Sequence, residues 1–331
     1  MEIQDPIDKK KLKIQSLLNH PVTQKCWYGF LTDEMGNRKY LIAEGVARIT
    51  ENEEFYNSWI NSKNLNINEF QAEESVSFFD FEWNLFPFVN NEKELQFRGF
   101  DRYQIKAEDI KGKLLLDAGC GAGTLSEYFL KKGANVVSVD LSNAINVAAK
   151  KLYSYKNWNG FKADITKLPF PDNYFDYVHC EGVIQHTHNS FETVKELVRV
   201  TKVGGHIAAW HYTKPKKQSF LNKYFSNLRE KRRRKFRSWD KHVFIAYTAF
   251  LTLLGYIPVI GGLLNRAKFI SKKSLNKSFQ ANWAMTMDAL GWHEYQRFVT
   301  KDEFKEYFSE CGNFKTVYED PYAAIVHYIK L

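Results

Sequence analysis

The sequence predicts an α/β protein built on a seven-stranded, mostly parallel, doubly wound sheet whose last strand is antiparallel. Between residues 96 and 213, short apolar runs alternate with helical stretches at the spacing that βα units require. A glycine-rich turn at 119–123 directly follows the first of these runs. The final two predicted strands lie too close in sequence for a parallel crossover, so an antiparallel pair is expected at the end of the chain.

The predicted elements follow this alternation. Strands are expected at 113–117, 135–140, 159–164, 175–181, 204–212, 314–319 and 322–330. Helices are expected at 123–132, 143–153, 190–202 and 300–311, where apolar residues recur at helical spacing. The predicted domains are an N-terminal region at 1–95, a sheet core at 96–213, a helical insertion at 214–298 and a return to the core at 299–331.

The N-terminal region contains one clear pattern, a hairpin. Residues 38–50 alternate between apolar and polar side chains on both sides of Glu44-Gly45. The four cysteines, including Cys26 in this region, are far apart and form no CxxC pair, so neither a metal site nor a disulfide framework is expected. Residues 1–15 are charged and lack the apolar stretch of a secretory signal, which predicts a cytoplasmic location.

The positive charge of the chain is concentrated in one segment. The formal net charge is +9, and residues 229–241 contain eight Lys or Arg against two acids. Such a run can bind nucleic acid, anionic lipid or an acidic substrate. It is equally typical of a solvated helix face.

The glycine-rich turn is the main candidate for a ligand site. A buried strand is predicted to end at Asp117, and a helix is predicted to begin near Gly123. Gly119 and Gly121 allow the backbone to turn sharply and to approach a ligand where a Cβ would collide. The helix N-terminus directs amide donors and the positive end of its dipole to the same place. The arrangement predicts a nucleotide-like ligand.

Two further carboxylates follow the next two strands. Asp140 ends the run NVVSVD, and a carboxylate about 20 residues after such a turn suits the two hydroxyls of a ribose. Asp164 follows the next strand, where it can accept from an adenine amino group while Ile165 packs on the base. Each acid taken alone is better explained by a turn or a helix cap. Together with Asp117 they favour a ligand, because open α/β sheets bind at the carboxyl ends of their strands.

Four segments together resemble the motifs of class I S-adenosylmethionine-dependent methyltransferases. They are LLLDAGCGAGTLSEYF, VVSVDLSNA, FKADITKLPFPDNYFDYVHCEGVIQHTHN and ELVRVTKVGGHIAAW, in that family's order and spacing. The resemblance implies S-adenosylmethionine as the cofactor, with Asp117 at its methionine part, Asp140 at its ribose and Asp164 at its adenine. The implied cofactor residues are Asp117, Ala118, Gly119, Cys120, Gly121, Gly123, Asp140, Leu141, Ala163, Asp164, Ile165 and Glu181.

The segment after the fourth core strand is similar to that of small-molecule methyltransferases such as the ubiquinone-pathway type. Residues 180–186 lack the Asn/Asp-Pro-Pro-aromatic motif of base-amino methyltransferases, which argues against DNA as a partner. Bacterial surface-sugar and natural-product methyltransferases are also similar: the N-terminal region resembles their small zinc-ribbon-like domain, reduced here to Cys26 and without metal. The implied acceptor is a sugar, a quinone or a lipid-linked metabolite, methylated on oxygen or nitrogen.

A hydroxyl acceptor needs a base to remove its proton, and four residues are candidates. They are His211 at the end of the fifth core strand, His293 before the last helix, and Glu181 and His186 after the fourth strand. His211 and His293 are the preferred pair. For any single histidine, a structural hydrogen-bonded role is the more common outcome, so the identity of the base stays open.

An apolar segment of the insertion admits three interpretations. Residues 243–264 carry no charge and are long enough to cross a bilayer, but Gly255 and Pro258 divide them into short helices. A cap over the active site is favoured, ahead of a peripheral membrane contact through 229–264 and of an oligomer interface. In the membrane interpretation, Arg232, Arg233 and Arg234 assist the contact.

Two other functions compete with small-molecule methylation. An RNA-binding methyltransferase would use the basic run, although the sequence contains no recognisable RNA-binding module. A non-catalytic protein would only bind the cofactor, and the glycines and acids do not distinguish binding from turnover. An oxidoreductase is disfavoured because GCGAG lacks the third-glycine spacing of the dinucleotide fingerprint. The oligomeric state is left open.

Overall fold

The described residues form two compact units. A computed structural model describes residues 1–20, 22–50, 92–213, 220–236, 238–270, 279–291, 298–309, 311, 314–316 and 323–331. The first unit contains the N-terminal strands and the elements predicted for the core, and the second contains the helices of the insertion.

All strands of the first unit join one sheet. Within the described part of the chain the order is β1-β2-β3-β4-β5-β8-β7-β6-β9-β10-β12-β11. The strands are β1 (Ile3–Gln4), β2 (Lys11–Asn19), β3 (Cys26–Thr32), β4 (Arg38–Ala43), β5 (Val46–Arg48), β6 (Leu114–Ala118), β7 (Asn135–Asp140), β8 (Trp158–Lys162), β9 (Phe175–Glu181), β10 (Thr201–Tyr212), β11 (Phe314–Thr316) and β12 (Ala323–Ile329). From β5 through β8, β7, β6 and β9 to β10, each strand is parallel to its neighbour in the sheet. The predicted α/β class is confirmed.

The predicted count of seven strands is not confirmed, because the N-terminal strands continue the same sheet. Strands β2 to β5 form an antiparallel meander, and β5 then pairs in parallel with β8, placing Val46 opposite Gly160. The predicted hairpin around Glu44-Gly45 is confirmed as the turn between β4 and β5, where both residues have positive φ. The proposed similarity of this region to a zinc ribbon stays a prediction.

The last strand lies inside the sheet rather than at its edge. β12 is antiparallel to β10 on one side and to β11 on the other, with His206 opposite Ile329 and Phe314 opposite Tyr328. The short connection from β11 to β12 leaves no room for a crossover helix, which explains the reversed direction. The expected antiparallel last strand is thus present.

Helices pack on both faces of the parallel strands. The helices of the described residues are α1 (Glu92–Gly99), α2 (Thr124–Lys131), α3 (Ala144–Leu152), α4 (Ser190–Val200), α5 (Phe220–Phe236), α6 (Lys241–Leu254), α7 (Pro258–Arg266), α8 (Phe279–Leu290) and α9 (Lys301–Ser309). Adjacent residues of β6 show the two-sided burial: Leu115 belongs to the core with Phe129 of α2, and Leu116 to the core with Leu197 of α4. Successive strand side chains point to opposite faces, so β6 must be apolar on both.

The helical unit has its own interior, which includes part of the basic run. The Arg233 side chain is buried and donates from Nε to the Gly291 carbonyl oxygen at 2.8 Å. The Arg232 guanidinium lies 3.8 Å from the centre of the Phe269 ring and donates to the Ala267 carbonyl oxygen. The expectation that Arg233 assists a surface contact is therefore wrong, whereas Arg232 is half-buried and Arg234 is exposed.

The apolar segment of this unit is divided as its sequence predicts. Asp240 caps α6 by accepting from the His242 and Val243 amides, Gly255 follows the end of α6, and Pro258 opens α7. Among the described helices, none is long and apolar enough to cross a membrane.

Because the N-terminal strands share the sheet and its core, we expect them to unfold together with it. Leu31 of β3 is completely buried in the same core as Leu116. Leu31→Ala should lower the free energy of unfolding by about 2–5 kcal/mol and reduce hydrogen-exchange protection in β7 and β8 as well as in β3. Leu17→Ala, at a residue that is 55% exposed, is the control. Unchanged protection of β7 and β8 in Leu31→Ala would show that the N-terminal strands fold independently.

Candidate functional site

The turn after β6 is wound tightly by three glycines. Gly119, Gly121 and Gly123 have φ values of +80°, +52° and +74°. Residues other than glycine rarely adopt this backbone region. The Gly119 and Cys120 amides both donate to the carbonyl oxygen of Val139, at 2.7 and 3.0 Å. The end of the neighbouring strand β7 therefore fixes the start of the turn.

Gly119 also permits a close contact that any side chain would prevent. A Cβ on Gly119 would lie 2.2 Å from Cγ2 of Val183, in the segment that follows β9. A Cβ on Gly123 would lie 2.8 Å from the Cβ of Ala148 in α3. The two glycines are thus required by packing as well as by backbone conformation.

Asp140 ties the turn to the end of β7. The Gly121 amide donates to Oδ2 of Asp140 at 2.8 Å, while the amide and hydroxyl of Ser142 donate to Oδ1 at 2.9 and 2.6 Å. A carboxylate held from both sides in this way has a fixed direction before any ligand arrives. The structure therefore joins the glycine turn and Asp140, as the sequence predicts.

Asp164 follows β8 and begins a turn. Its Oδ1 accepts from the Thr166 amide at 2.8 Å, so the turn role considered from the sequence is observed. The Ala163 amide donates to the Asp140 carbonyl oxygen at 3.1 Å, which places the two predicted acids on adjoining strand ends. Ile165 is buried in the core, whereas Leu141 is 57% exposed.

Asp117 lies in the interior rather than at the surface of the turn. Its Oδ2 accepts from Ser126 at 2.5 Å, the Ser126 hydroxyl lies 2.7 Å from that of Ser138, and Trp158 Nε1 donates to Ser138 at 2.8 Å. His179 Nδ1 is 3.6 Å from Oδ1 of Asp117. The carboxylate is only 3% exposed, so the geometry favours a bracing role behind the turn over direct contact with a cofactor.

Glu181 is held by two arginines that the sequence analysis missed. Arg102 Nη1 lies 2.7 Å from Oε1 of Glu181, and Arg98 Nε lies 3.2 Å from the same atom. Burial lowers the pKa of Arg98, but the attraction of Glu181 outweighs it and raises that pKa above its usual value. Because two guanidinium groups already occupy Oε1 of Glu181, this geometry does not support Glu181 as a base. The two arginines lie 83 and 79 residues before Glu181, so no sequence motif indicates this pairing.

His211 also occupies an interior position. Its ring is fully buried, with Nδ1 2.7 Å from the Tyr212 carbonyl oxygen and Nε2 3.5 Å from the Ser190 hydroxyl. Burial lowers the pKa of His211 to about 4, with the hydrogen bond to Tyr212 acting in the opposite direction. The geometry gives its role as a base no support, because both ring nitrogens have protein neighbours.

Of the other two predicted bases, the structure describes only His186. His186, at the end of the short helical turn Ile184–His186, is half-buried, and its ring lies edge-on to Tyr212 with 6.1 Å between centres. His293 lies outside the described residues.

Two other side chains after β6 and β9 complete the description. Burial raises the pKa of the Cys120 thiol well above its usual value, aided by the nearby Asp140 carboxylate, so this thiol stays neutral. Gln185 is fully buried, and among the described residues neither its amide nitrogen nor its amide oxygen has a hydrogen-bond partner. Buried amides normally have partners, so Gln185 is an unusual polar position, and no motif in the sequence marks it.

Comparison with known proteins identifies the family. A family model described as "Methyltransferase domain" matches residues 116–209, the segment that contains the turn, Asp140 and Asp164. The demethylmenaquinone methyltransferase of Streptomyces avermitilis is 32% identical over 161 residues, covering 48% of this chain and 68% of that protein. The chain belongs to the class I S-adenosylmethionine-dependent methyltransferases. The predicted family and its cofactor, S-adenosylmethionine, are confirmed.

Two further relatives show how far the similarity extends. The demethylmenaquinone methyltransferase of Thermobifida fusca is 35% identical over 123 residues, covering 35% of this chain and 52% of that protein. The malonyl-[acyl-carrier protein] O-methyltransferase of Enterobacter lignolyticus is 30% identical over 122 residues, covering 37% of this chain and 48% of that protein. The chain therefore spans about half the length of each of these two relatives.

The contact between Gly119 and Val183 gives a prediction for the methyltransferase turn. Gly119→Ala should destabilise the protein and weaken S-adenosylmethionine binding, because the new Cβ is strained at positive φ and also overlaps Val183. Gly112→Ala is the matched control, since Gly112 has φ +73° with nothing within 4 Å of a Cβ. It should cost only about 1–2 kcal/mol of backbone strain, and Gly119→Ala about 1–3 kcal/mol more from overpacking. Thermal unfolding and calorimetric titration measure both effects.

A double variant separates the two causes. Val183→Ala removes the two Cγ atoms that a Cβ on Gly119 would meet and keeps the Val183 Cβ at 2.9 Å, so Gly119→Ala/Val183→Ala should regain part of the binding lost in Gly119→Ala. No regain would mean that overlap with the two Cγ atoms does not explain the need for glycine.

The low pKa of His211 predicts a loss of stability in acid. Since the unfolded chain takes up a proton near pH 6.5 and the folded chain near pH 4, stability is complete above pH 6.5 and declines as the pH falls towards 4. The shift corresponds to roughly 3 kcal/mol. His211→Gln should show a shallower decline of the free energy of unfolding across this window, whereas His188→Gln, at an exposed histidine, should match the wild type. Equal slopes for His211→Gln and the wild type would contradict the assignment.

Proposed function

We propose that the protein transfers a methyl group from S-adenosylmethionine to an oxygen or nitrogen atom of a small molecule. The observation that carries this proposal is the 2.8 Å hydrogen bond from the Gly121 amide to Asp140. It places a glycine turn, a helix N-terminus and a fixed carboxylate at the ends of two neighbouring parallel strands, the edge at which open α/β sheets bind ligands. The region that matches the methyltransferase domain contains all three features.

The residues at this edge fit the parts of the cofactor. Asp140 would accept hydrogen bonds from the ribose hydroxyls. Leu141, exposed beside it, would cover the adenine in place of Ile165, with Asp164 near the adenine amino group. The turn and the N-terminus of α2 would surround the methionine part, braced from behind by Asp117.

The ion pairs of Glu181, at the end of β9, fit the charged end of the methionine part. Its carboxylate would pair with the guanidinium groups of Arg98 and Arg102, and its ammonium group with Glu181. These three side chains are already in contact, so binding would exchange partners within an existing charge cluster rather than bring isolated charges together.

Methyl transfer depends more on the position of the acceptor atom than on removal of its proton. The bound cofactor supplies a methyl group that is already activated by its sulfonium, so the protein mainly aligns the acceptor atom with it. Among the described candidates, we keep His186, which is half-buried beside Tyr212, as the proposed base for a hydroxyl acceptor. The two relatives' names contain a quinone precursor and a carrier-linked malonyl group. We therefore propose an acceptor of small-molecule type and do not choose between these chemistries.

Asp140→Asn tests the proposal. Loss of a charged acceptor of hydrogen bonds costs about 1.5–3 kcal/mol, so S-adenosylmethionine should bind roughly 10- to 100-fold more weakly. Isothermal titration of the folded protein measures the binding, and formation of S-adenosylhomocysteine with candidate acceptors measures turnover.

The control for this experiment is Asp172→Asn, which removes a carboxylate whose side chain is 69% exposed and pairs with Arg199. It should bind the cofactor like the wild type. Absence of S-adenosylmethionine binding by folded wild-type protein would refute the proposed function. Equal affinities of Asp140→Asn and the wild type would refute the ribose role of Asp140 alone.

A further inference from the structure

The outward side of α6 is apolar along its length. Val243, Ala246, Phe250 and Leu253 recur every three or four residues, and all four are exposed. Phe250 is 57% and Leu253 58% exposed. A surface helix of a globular protein normally directs polar side chains outward, so this pattern calls for a partner.

The other side of α6 is already satisfied inside the helical unit. Phe244 and Leu251 are buried, and Thr248 accepts from Trp283 Nε1 of α8 at 3.0 Å. The exposed side is therefore not a core face awaiting the unit's own helices. It is a second apolar surface on a helix whose first surface is packed.

Exposed apolar residues also occur on α7, which follows α6 directly. A Cβ on Gly261 of α7 would lie 2.1 Å from the carbonyl oxygen of Gly255, so the beginning of α7 packs directly against the end of α6. We define the apolar face by its exposed members: Val243, Ala246, Phe250, Leu253, Ile257, Val259, Ile260 and Leu263.

The apolar segment itself carries no acid, and Asp240, which caps the beginning of α6, is the nearest carboxylate before it in the chain. Residues 241–270 contain no Asp or Glu. Arg266 at the end of α7 is exposed, and so are Lys231, Arg234 and Lys235 of α5 in the same unit. Exposed apolar side chains in a helical unit whose residues 229–241 contain eight Lys or Arg against two acids match an anionic lipid surface. There the apolar groups enter the acyl boundary and the cations meet phosphate.

The lengths of the helices decide between crossing the bilayer and lying on it. α6 has 14 residues, which is about 21 Å of helix against a hydrocarbon core of roughly 30 Å. Pro258 starts a new helix of nine residues. Neither α6 nor α7 is long enough to cross the bilayer as a single helix. Both can lie in the plane of the membrane interface.

We propose that the apolar face of α6 and α7 docks on the surface of a bilayer that contains anionic phospholipid. The proposal does not depend on methyl transfer, since it rests only on exposure, charge and helix length within the helical unit. Two parts are needed: the apolar side chains supply the insertion, and the exposed cations make the contact depend on lipid charge and on salt.

Flotation of the full chain with vesicles tests the proposal. The wild type should float with phosphatidylcholine vesicles that contain phosphatidylglycerol, and much less with phosphatidylcholine alone or at high salt. Phe250→Ser/Leu253→Ser should reduce the partition coefficient by at least about tenfold, because two large apolar groups no longer leave water. Arg266→Gln should give a smaller loss, of roughly fivefold for one surface charge.

Leu17→Ser/Leu18→Ser is the matched control, since these residues of β2 are 55% and 53% exposed. This control should float like the wild type. Circular dichroism and S-adenosylmethionine titration verify that all variants are folded. Equal flotation of Phe250→Ser/Leu253→Ser and of the control would overturn the proposal. It would also be overturned if the wild type did not float and light scattering showed an oligomer for the wild type and a monomer for the Phe250→Ser/Leu253→Ser variant. That result would assign the apolar face to contact with a second copy of the chain.

Discussion

The hydrogen bond between the Gly121 amide and the Asp140 carboxylate is the constraint on which the site depends. A turn with three glycines at positive φ has many conformations to lose on folding, so it needs fixed points. Strand β7 provides them: the Val139 carbonyl holds the beginning of the turn and the Asp140 side chain holds its middle. The position of the turn is thus set by the neighbouring strand, and β6 and β7 must be in register for the site to exist.

A buried polar chain supports the turn from behind. The hydrogen bonds from Trp158 through Ser138 and Ser126 reach Asp117 and connect β8 with β6. Such networks specify one arrangement when their members are satisfied. The same logic applies at Glu181, where two guanidinium groups neutralise a carboxylate. The site is therefore organised by fixed charges and fixed hydrogen bonds, which suits a reaction whose donor is already activated.

The sequence predicted features formed by residues close together in the chain, but it did not predict contacts between residues far apart in the chain. The strand, glycine turn and helix at 114–131 follow from short patterns, and so do Asp140 and Asp164 at strand ends. The partners of Glu181 lie about eighty residues earlier in the chain, and no local pattern marks such a pairing. For the same reason the parallel pairing of β5 with β8, which enlarges the sheet beyond seven strands, had no sequence signal. The basic run shows a further limit, since composition alone does not tell that Arg233 turns inward while Arg234 stays exposed.

The pairing of β5 with β8 has a consequence for how the chain is made. Val46 and Gly160 face each other in the finished sheet, so the N-terminal strands leave the ribosome long before their partner strand has been synthesised. At ~5–20 residues per second, that interval is on the order of ten seconds. Throughout it the N-terminal strands lack both the neighbouring strand β8 and the core that Leu31 shares with Leu116, and unpaired strand segments pair readily with other chains. Shielding of the nascent N-terminus by a chaperone would matter during synthesis, before any cofactor can bind.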